Sequence, residues 1–473
     1  MENSMSLNSV GNARRFGLRD KLGYMLGNVA NDFTFTFASV FLLVFYTKVL
    51  GISSALVGTM FVIARFLDAF TDITMGHIVD RAKTTKNGKF RPWLLRMCAP
   101  LAFSSFLMYQ SSVASAPLWL RVLYMFVTYL IWGSVFYTSV NIPYGSMASV
   151  ISPEADHRSS LSTARSVGSM LANLIVGVLV PLVIYTTDGN GNQIVRGSVF
   201  PYVAAVLSVL SLALYITCYY LTAERVAVPV KKRHEHLSLS ETARSLITNR
   251  ALIGIVLASV GVLAAQLLGQ SINQYLFIDY FKDKSGVMIM TALGIIPGLL
   301  LAPIAVPVSR RFGKKEVGIF GCLCGATSSL LLYLIRTRSM WVYITVSFVG
   351  FLGFGIFNLI MWAFITDIID DQEVKTGHRN DGTIYAVYSF ARKVGQAIAG
   401  GLGGWALALI GFNETLAVQT ERVANGIYTV STLIPAILYL AVAVSLIFIY
   451  PLGKKQVEHN VQTLKRRRET KNG

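Results

Sequence analysis

An all-α membrane protein, with twelve transmembrane helices in two six-helix halves, is the fold this sequence predicts. Three observations predict it. Of the 473 residues, 53% are hydrophobic and only 14% are charged, and the mean hydropathy is +0.55, a balance that suits lipid better than water. Apolar runs of about 20 residues or more recur along the whole chain, each long enough to cross a hydrocarbon core. Lys and Arg collect at both ends and in alternate loops, the bias that marks cytoplasmic segments. The net charge of +18 therefore reflects membrane orientation and does not point to nucleic acid.

The spans fall in order at 22–47, 54–80, 93–112, 117–149, 160–186, 199–222, 250–278, 286–308, 316–336, 340–370, 380–411 and 426–450. Ahead of them Arg14, Arg15 and Arg19 lie in a short polar tail with no apolar core, unlike a cleaved signal. The longest polar interval, 223–249, carries Pro229, Lys231, Lys232 and Arg233 and separates the halves 1–222 and 250–450. Within it Ser238 to Ile247 has helical periodicity suited to the membrane face. Residues 451–473 form a basic tail suited to anionic lipid. The Lys and Arg bias puts both termini in the cytoplasm, which requires an even number of spans, and the chain is expected in the inner or plasma membrane as a multi-pass protein.

An internal repeat supports the two halves. The second and third spans are joined by Gly76-His-Ile-Val-Asp80-Arg81 and Gly88-Lys89-Phe90-Arg91-Pro92, and the eighth and ninth by Arg310-Arg311-Phe312-Gly313-Lys314-Lys315. Both are short, basic, glycine-bearing turns at the same place in their halves. The Gly-Lys pairs lack the rest of a phosphate-binding loop, so ATP hydrolysis is not the energy source. Cys98, Cys218, Cys322 and Cys324 lie in apolar stretches, where cysteine packs as a small hydrophobe. No nucleophile–base pair or metal-ligand cluster indicates an enzyme, and no cofactor is expected beyond a coupling ion.

Chemistry is concentrated in polar residues inside spans. Arg65, Asp68 and Asp72 fall at i, i+3 and i+7 and share one helix face. A carboxylate at bilayer depth costs about 2.5–3.5 kcal/mol even on the lenient scale, so two together indicate a cation site. Their oxygens can take up a proton or, with hydroxyls such as Thr71 or Thr138, hold Na+; Arg65 is the compensating charge. Asp32 in the first span can accept hydrogen bonds from sugar hydroxyls. Asn141, beside the kink-forming Pro143, is a further candidate for binding hydroxyls. Arg165 lies on a small-residue face, and Arg392 and Lys393 point about 100° apart on the eleventh span. Phe33, Trp362, Tyr388 and Phe390 are candidates for stacking on sugar rings. Asp367, Asp370, Asp371 and Glu373 crowd the end of the tenth span, where solvated latch contacts are expected.

At these residues the chain resembles the glycoside–pentoside–hexuronide:cation symporter family of the major facilitator superfamily. The matching motifs are Arg65-Phe-Leu-Asp68-Ala-Phe-Thr71-Asp72, Gly88-Lys89-Phe90-Arg91-Pro92-Trp93, Asn141-Ile-Pro143-Tyr144-Gly145-Ser146 and Ser389-Phe-Ala-Arg392-Lys393-Val-Gly395-Gln396. They cover nearly the whole chain, and within the family they are more similar to the bacterial glucuronide carrier than to the melibiose permease. The resemblance implies the major facilitator fold and symport of a glycoside with Na+ or H+ by alternating access. In the melibiose permease the positions matching Asp68 and Asp72 hold the cation, with that of Thr138 nearby. Those matching Asp32, Arg165 and Lys393 belong to the sugar-side network. That permease has an aspartate where this chain has Asn141. Losing the anion while keeping Arg165, Arg392 and Lys393 makes the cavity more hospitable to an anionic hexuronide.

The expected activity is uptake of a glycoside, with a glucuronide or a xyloside as candidate substrate, by a carrier acting as a monomer. A membrane sensor that binds sugar without moving it is the alternative from another class. The short loops leave it no output domain, and downhill flux into proteoliposomes separates the two.

Overall fold

Backbone groups in hydrocarbon must bond within their own segment, which leaves the helix as the one local solution for an apolar run. The computed structural model of the chain describes residues 14–226 apart from 83 and 86, 249–376, and 381–472. Each predicted span is helical. They are α1 (Leu18–Val44), α2 (Ser54–Arg81), α3 (Arg91–Leu107), α4 (Leu118–Leu130) running on into α5 (Thr138–Ile151), α6 (Ala155–Ile184) and α7 (Phe200–Leu221). The second series is α8 (Arg250–Tyr275), α9 (Ser285–Phe312), α10 (Lys314–Ile335), α11 (Met340–Thr376), α12 (Asp381–Leu409) and α13 (Glu421–Val444). Ten of these are long and apolar enough to cross a membrane. The remaining two are α3, with 17 residues, and α12, which carries Arg392 and Lys393.

Local details depart from simple α-helix. Among the described residues four π-helical turns interrupt or close helices, at Phe45–Val49, Ile131–Tyr137, Leu276–Tyr280 and Ser445–Ile449. A two-stranded antiparallel hairpin, β1 (Tyr185–Thr187) and β2 (Gln193–Val195), follows α6. A further helix, α14 (Lys454–Asn472), occupies what the sequence presents as a basic tail. The stretch from Ser238 to Ile247 lies outside the described residues.

The repeat is visible in backbone geometry. α1 and α8 each end in a five-residue π turn, followed two residues later by a left-handed position, Gly51 at φ 61° and Lys282 at φ 57°. The two basic loops each turn on a glycine of positive φ, Gly88 at 105° and Gly313 at 100°, a region L side chains rarely enter.

The chain divides into two compact units, residues 1–234 with 412–418, and 235–411 with 419–473. In the first, α1 is fastened against α6 and α7. At Gly168 an added Cβ would lie 2.6 Å from the Met25 carbonyl oxygen, so the close crossing requires a glycine. The buried carboxylate of Asp20 pairs with Arg14 at 3.0 Å and Arg225 at 2.9 Å. The beginning of the long polar interval is thus bound into this unit.

Glu224 makes a second tie. Its carboxylate accepts the backbone N–H groups of Lys89 at 2.7 Å and of Phe90 and Arg91 at 2.8 Å. A negative group there satisfies donors that the first turn of α3 cannot satisfy itself. Replacing Glu224 by Ala strands those donors and is expected to cost about 1–3 kcal/mol, read as a lower thermal unfolding temperature of the full-length protein. An unchanged midpoint would remove Glu224 from this role.

In the second unit α14 docks on the end of α11. Asn460 Nδ2 donates to Asp371 Oδ1 at 3.0 Å, and Leu464 is buried. The acidic end of α11 is accordingly packed where solvated latch contacts are the expectation. Asp371 is paired with Lys375 and Asp367 with Lys314, both at 2.6 Å.

Candidate functional site

Two polar clusters lie inside the first unit. The first begins on α2, where regular α-helix puts Asp68 and Asp72 one turn apart. Asp68 is 8% exposed, and Arg65 Nη1 donates to its Oδ2 at 3.2 Å. Facing α2 is the π turn Ile131–Tyr137 between α4 and α5. Ser134 Oγ donates to Asp68 Oδ1 at 2.6 Å, and Thr138 Oγ1 to Asp72 Oδ1 at 2.8 Å. Each carboxylate therefore meets one hydroxyl, four residues apart on both partners. Thr71, the other hydroxyl the sequence offers, donates to the Asp68 backbone oxygen at 3.2 Å and bonds its own helix.

The second cluster surrounds Asp32 on α1. Its carboxylate accepts from Asn28 Nδ2 at 2.9 Å, from Asn31 Nδ2 at 3.3 Å and from Ser169 Oγ on α6. Arg165, one turn before Ser169 on α6, donates through Nε to Asn28 Oδ1 at 3.1 Å. Its guanidinium lies over the Tyr144 ring, 5.6 Å from the centroid. Among the described residues no carboxylate oxygen comes within the 4.0 Å of an ion pair with Arg165. Asp32 reaches it through Asn28. Gly145, whose added Cβ would stand 3.9 Å from Arg165 Nη1, leaves space beside that charge.

A bridge joins the clusters. Asn31 Nδ2 also donates to Tyr137 Oη at 2.8 Å, and Tyr215 Oη donates to Asn31 Oδ1 at 3.2 Å. Tyr137 closes the π turn and precedes Thr138. Phe35 stacks on Tyr137 at 5.6 Å, and the Arg65 guanidinium lies over the Phe35 ring, 5.6 Å from its centroid.

The structure therefore brings together Arg65, Asp68, Asp72 and Thr138 in one group, and Asp32 and Arg165 in the other. Asn141 sits half-buried one turn beyond Thr138 on α5. Arg392 and Lys393 are half-buried on α12 and belong to the second unit. Of the proposed stacking aromatics, Phe33 and Tyr388 are core residues at 4% and 1% exposure. Phe390 is exposed, and the side chain of Trp362 lies outside the description. Sequence reasoning missed Asn28, Ser169, Asn31, Tyr137 and Ser134. Two of these carried a usable signal: Asn28 precedes Asp32 by four residues and Ser169 follows Arg165 by four, the spacing that shares a helix face.

The described geometry can be set beside known proteins. Residues 23–454 match the family model described as MFS/sugar transport protein. An uncharacterized symporter of Bacillus subtilis (strain 168), YjmB, is 32% identical over 460 residues, covering 96% of this chain and 97% of the relative. A glucuronide carrier protein homolog of Escherichia coli (strain K12) is 31% identical over 457 residues, covering 95% and 96%. Among solved structures, that of a D-xylose-proton symporter superposes with a TM-score of 0.64 at 14% identity, covering 92% of this chain and 98% of the other. At that identity the likeness concerns the fold, which is the major facilitator architecture.

Proposed function

We propose that this chain, which belongs to the MFS/sugar transport protein family, is a symporter that moves an acidic glycoside together with a monovalent cation. It is a multi-pass membrane transporter of the sugar-carrying kind and not an enzyme. The observation that carries the finer reading is the hydrogen-bonded path between the two clusters. Asn31 touches both Asp32 and Tyr137, and the residue after Tyr137 touches Asp72. A cation entering at Asp68 and Asp72 and a sugar entering at Asp32 and Arg165 thereby act on one set of contacts. Whatever affinity the cation adds to sugar binding, the sugar adds to cation binding.

The acidic group follows from Arg165. A guanidinium at bilayer depth is costly unless it is paired or hydrated, and this one has an amide at 3.1 Å and an aromatic face. A carboxylate on the ligand would complete it with charge-assisted hydrogen bonds. The name of the Escherichia coli relative, a glucuronide carrier protein homolog, agrees with that chemistry. On this reading Asn141 is a further substrate-side residue.

The test is uptake of radiolabelled 4-nitrophenyl β-D-glucuronide, xyloside and galactoside into proteoliposomes, under an imposed Na+ gradient and separately under a pH gradient. The glucuronide is expected to accumulate above its external concentration under one of the gradients. Accumulation of the uncharged xyloside alone would assign the chain to pentoside transport. Equilibration without accumulation under both gradients would refute symport.

A further inference from the structure

The ends of α7 and α13 are finished alike in the two units, with one omission. The last carbonyls of a helix have no partner within it and carry the negative end of its dipole, so cations gather there. In the first unit two arrive from the starts of other helices. Arg14, just ahead of α1, donates to the Leu221 carbonyl oxygen, and Arg91, the first residue of α3, donates to that of Tyr219 at 2.6 Å. In the second unit Arg250, the first residue of α8, donates to the Phe448 carbonyl oxygen at 2.5 Å. Lys315, in the first turn of α10, donates to those of Tyr450 at 2.7 Å and Ile447 at 3.2 Å. The first and third spans of each half thus send one cation each to the end of the sixth.

The anions differ. In the first unit the buried Asp20 carboxylate pairs with Arg14 at 3.0 Å, and Glu224, shortly past the end of α7, accepts the Arg91 backbone N–H. The segment Tyr450-Pro451-Leu452-Gly453-Lys454, which leaves the corresponding end in the second unit, contains no acid. Glu316, beside Lys315, turns its carboxylate to Gly313 and Gly453. Among the described residues no carboxylate oxygen comes within the 4.0 Å of an ion pair with Arg250 or Lys315. Neutral carbonyls leave both charges unbalanced, and Arg250 uses a single N–H there, keeping the rest of its fork for a ligand. The place is firmly built. Ser445 Oγ donates to the Gly254 carbonyl oxygen at 3.0 Å, and an added Cβ on Gly254 would lie 3.0 Å from Tyr450 Cα. Around the charges the surface is apolar: Phe448 is 67% exposed, and Val444 and Leu257, about two turns along α8 from Arg250, are exposed as well.

We propose that Arg250 and Lys315 hold the phosphate of an anionic phospholipid, whose acyl chains lie along α8 and α13 beside Leu257, Val444 and Phe448. The headgroup takes the part that Asp20 and Glu224 play in the first unit. A phosphodiester offers oxygens to a guanidinium fork and to an ammonium at once, and basic pockets between spanning helices suit such headgroups. A soluble anion would balance the charges and leave the apolar flank bare, whereas a lipid covers both. Single basic side chains at span ends commonly reach for the interface on their own. Here two converge from different helices on the end of a third, in the half that lacks the acids.

The experiment is native mass spectrometry of the purified full-length protein titrated with dioleoyl phosphatidylglycerol and, separately, with dioleoyl phosphatidylcholine. The parent is expected to retain phosphatidylglycerol in preference to phosphatidylcholine. Arg250→Gln combined with Lys315→Gln keeps donors for the carbonyls at the end of α13 and should bind phosphatidylglycerol about tenfold more weakly. Arg310→Gln combined with Arg311→Gln removes two exposed charges from the end of α9 and should bind it nearly as the parent does. No preference in the parent would overturn the proposal. So would equal weakening in both double variants, which would show a general effect of charge. Photo-crosslinking of the unaltered protein with a phosphatidylglycerol that carries a diazirine on its acyl chain gives a readout free of any folding defect. Adducts at Leu257, Val444 or Phe448 are expected, and adducts confined to other helices would overturn the proposal.

Discussion

In proteoliposomes carrying Asp68→Asn, accumulation of glucuronide is expected to vanish while downhill equilibration continues. Asparagine keeps the size of the side chain and an oxygen for Ser134. It cannot offer the negative charge that pays for a cation's dehydration. It also strands Arg65, whose pairing with Asp68 spans 3.2 Å, and removing one partner of a buried pair costs about 3–5 kcal/mol. A drop in stability is therefore expected beside the loss of coupling, and the double variant Arg65→Gln with Asp68→Asn separates the two effects. It should recover thermal stability and remain unable to accumulate substrate. Accumulation restored in the double variant would mean that Asp68 serves only to neutralise Arg65. Unchanged accumulation in Asp68→Asn alone would remove it from coupling altogether.

The second large effect concerns Arg165. Arg165→Gln retains donors near Asn28 and removes the charge. The half-saturating concentration for 4-nitrophenyl β-D-glucuronide should rise about a hundredfold, as expected for losing roughly 2–3 kcal/mol of charge-assisted hydrogen bonding. Binding of the uncharged 4-nitrophenyl β-D-glucoside, measured side by side, should change little. Equal losses for both compounds would make Arg165 a scaffold residue for Asn28 and Asp32 and would argue against an acidic substrate.

Much of this is legible in the amino-acid sequence. The apolar runs fix the helices because hydrocarbon leaves the backbone no alternative, and Asp68 and Asp72 stand out because charge is dear there. What stayed hidden depends on contacts that no local pattern encodes. Ser134 is one hydroxyl among several in its span. Ser139, five residues on, donates to the Val135 carbonyl oxygen at 2.6 Å and touches α2 at Met75 Sδ, at 3.6 Å. Which of them meets a carboxylate is decided by a π turn that composition does not announce. Glu224 caps α3 from 133 residues away, and α14 is a charged helix whose docking hangs on Asn460 and Leu464, two residues in a stretch that otherwise reads as solvent-loving. Arg392 and Lys393 were legible as residue type and as place on α12.

The wide turn at Ile131–Tyr137 has an evolutionary corollary. Such a turn accommodates a surplus residue inside an otherwise α-helical run, so the stretches before and after it keep their phase. Deleting a single codon there would let the run close as ordinary helix, leaving Asn141, Pro143 and Gly145 in place while rebuilding the surroundings of Ser134. The contact at Asp68 and the residues further along α5 would then drift separately across descendants of this chain, the first by changes of length and the second by changes of side chain.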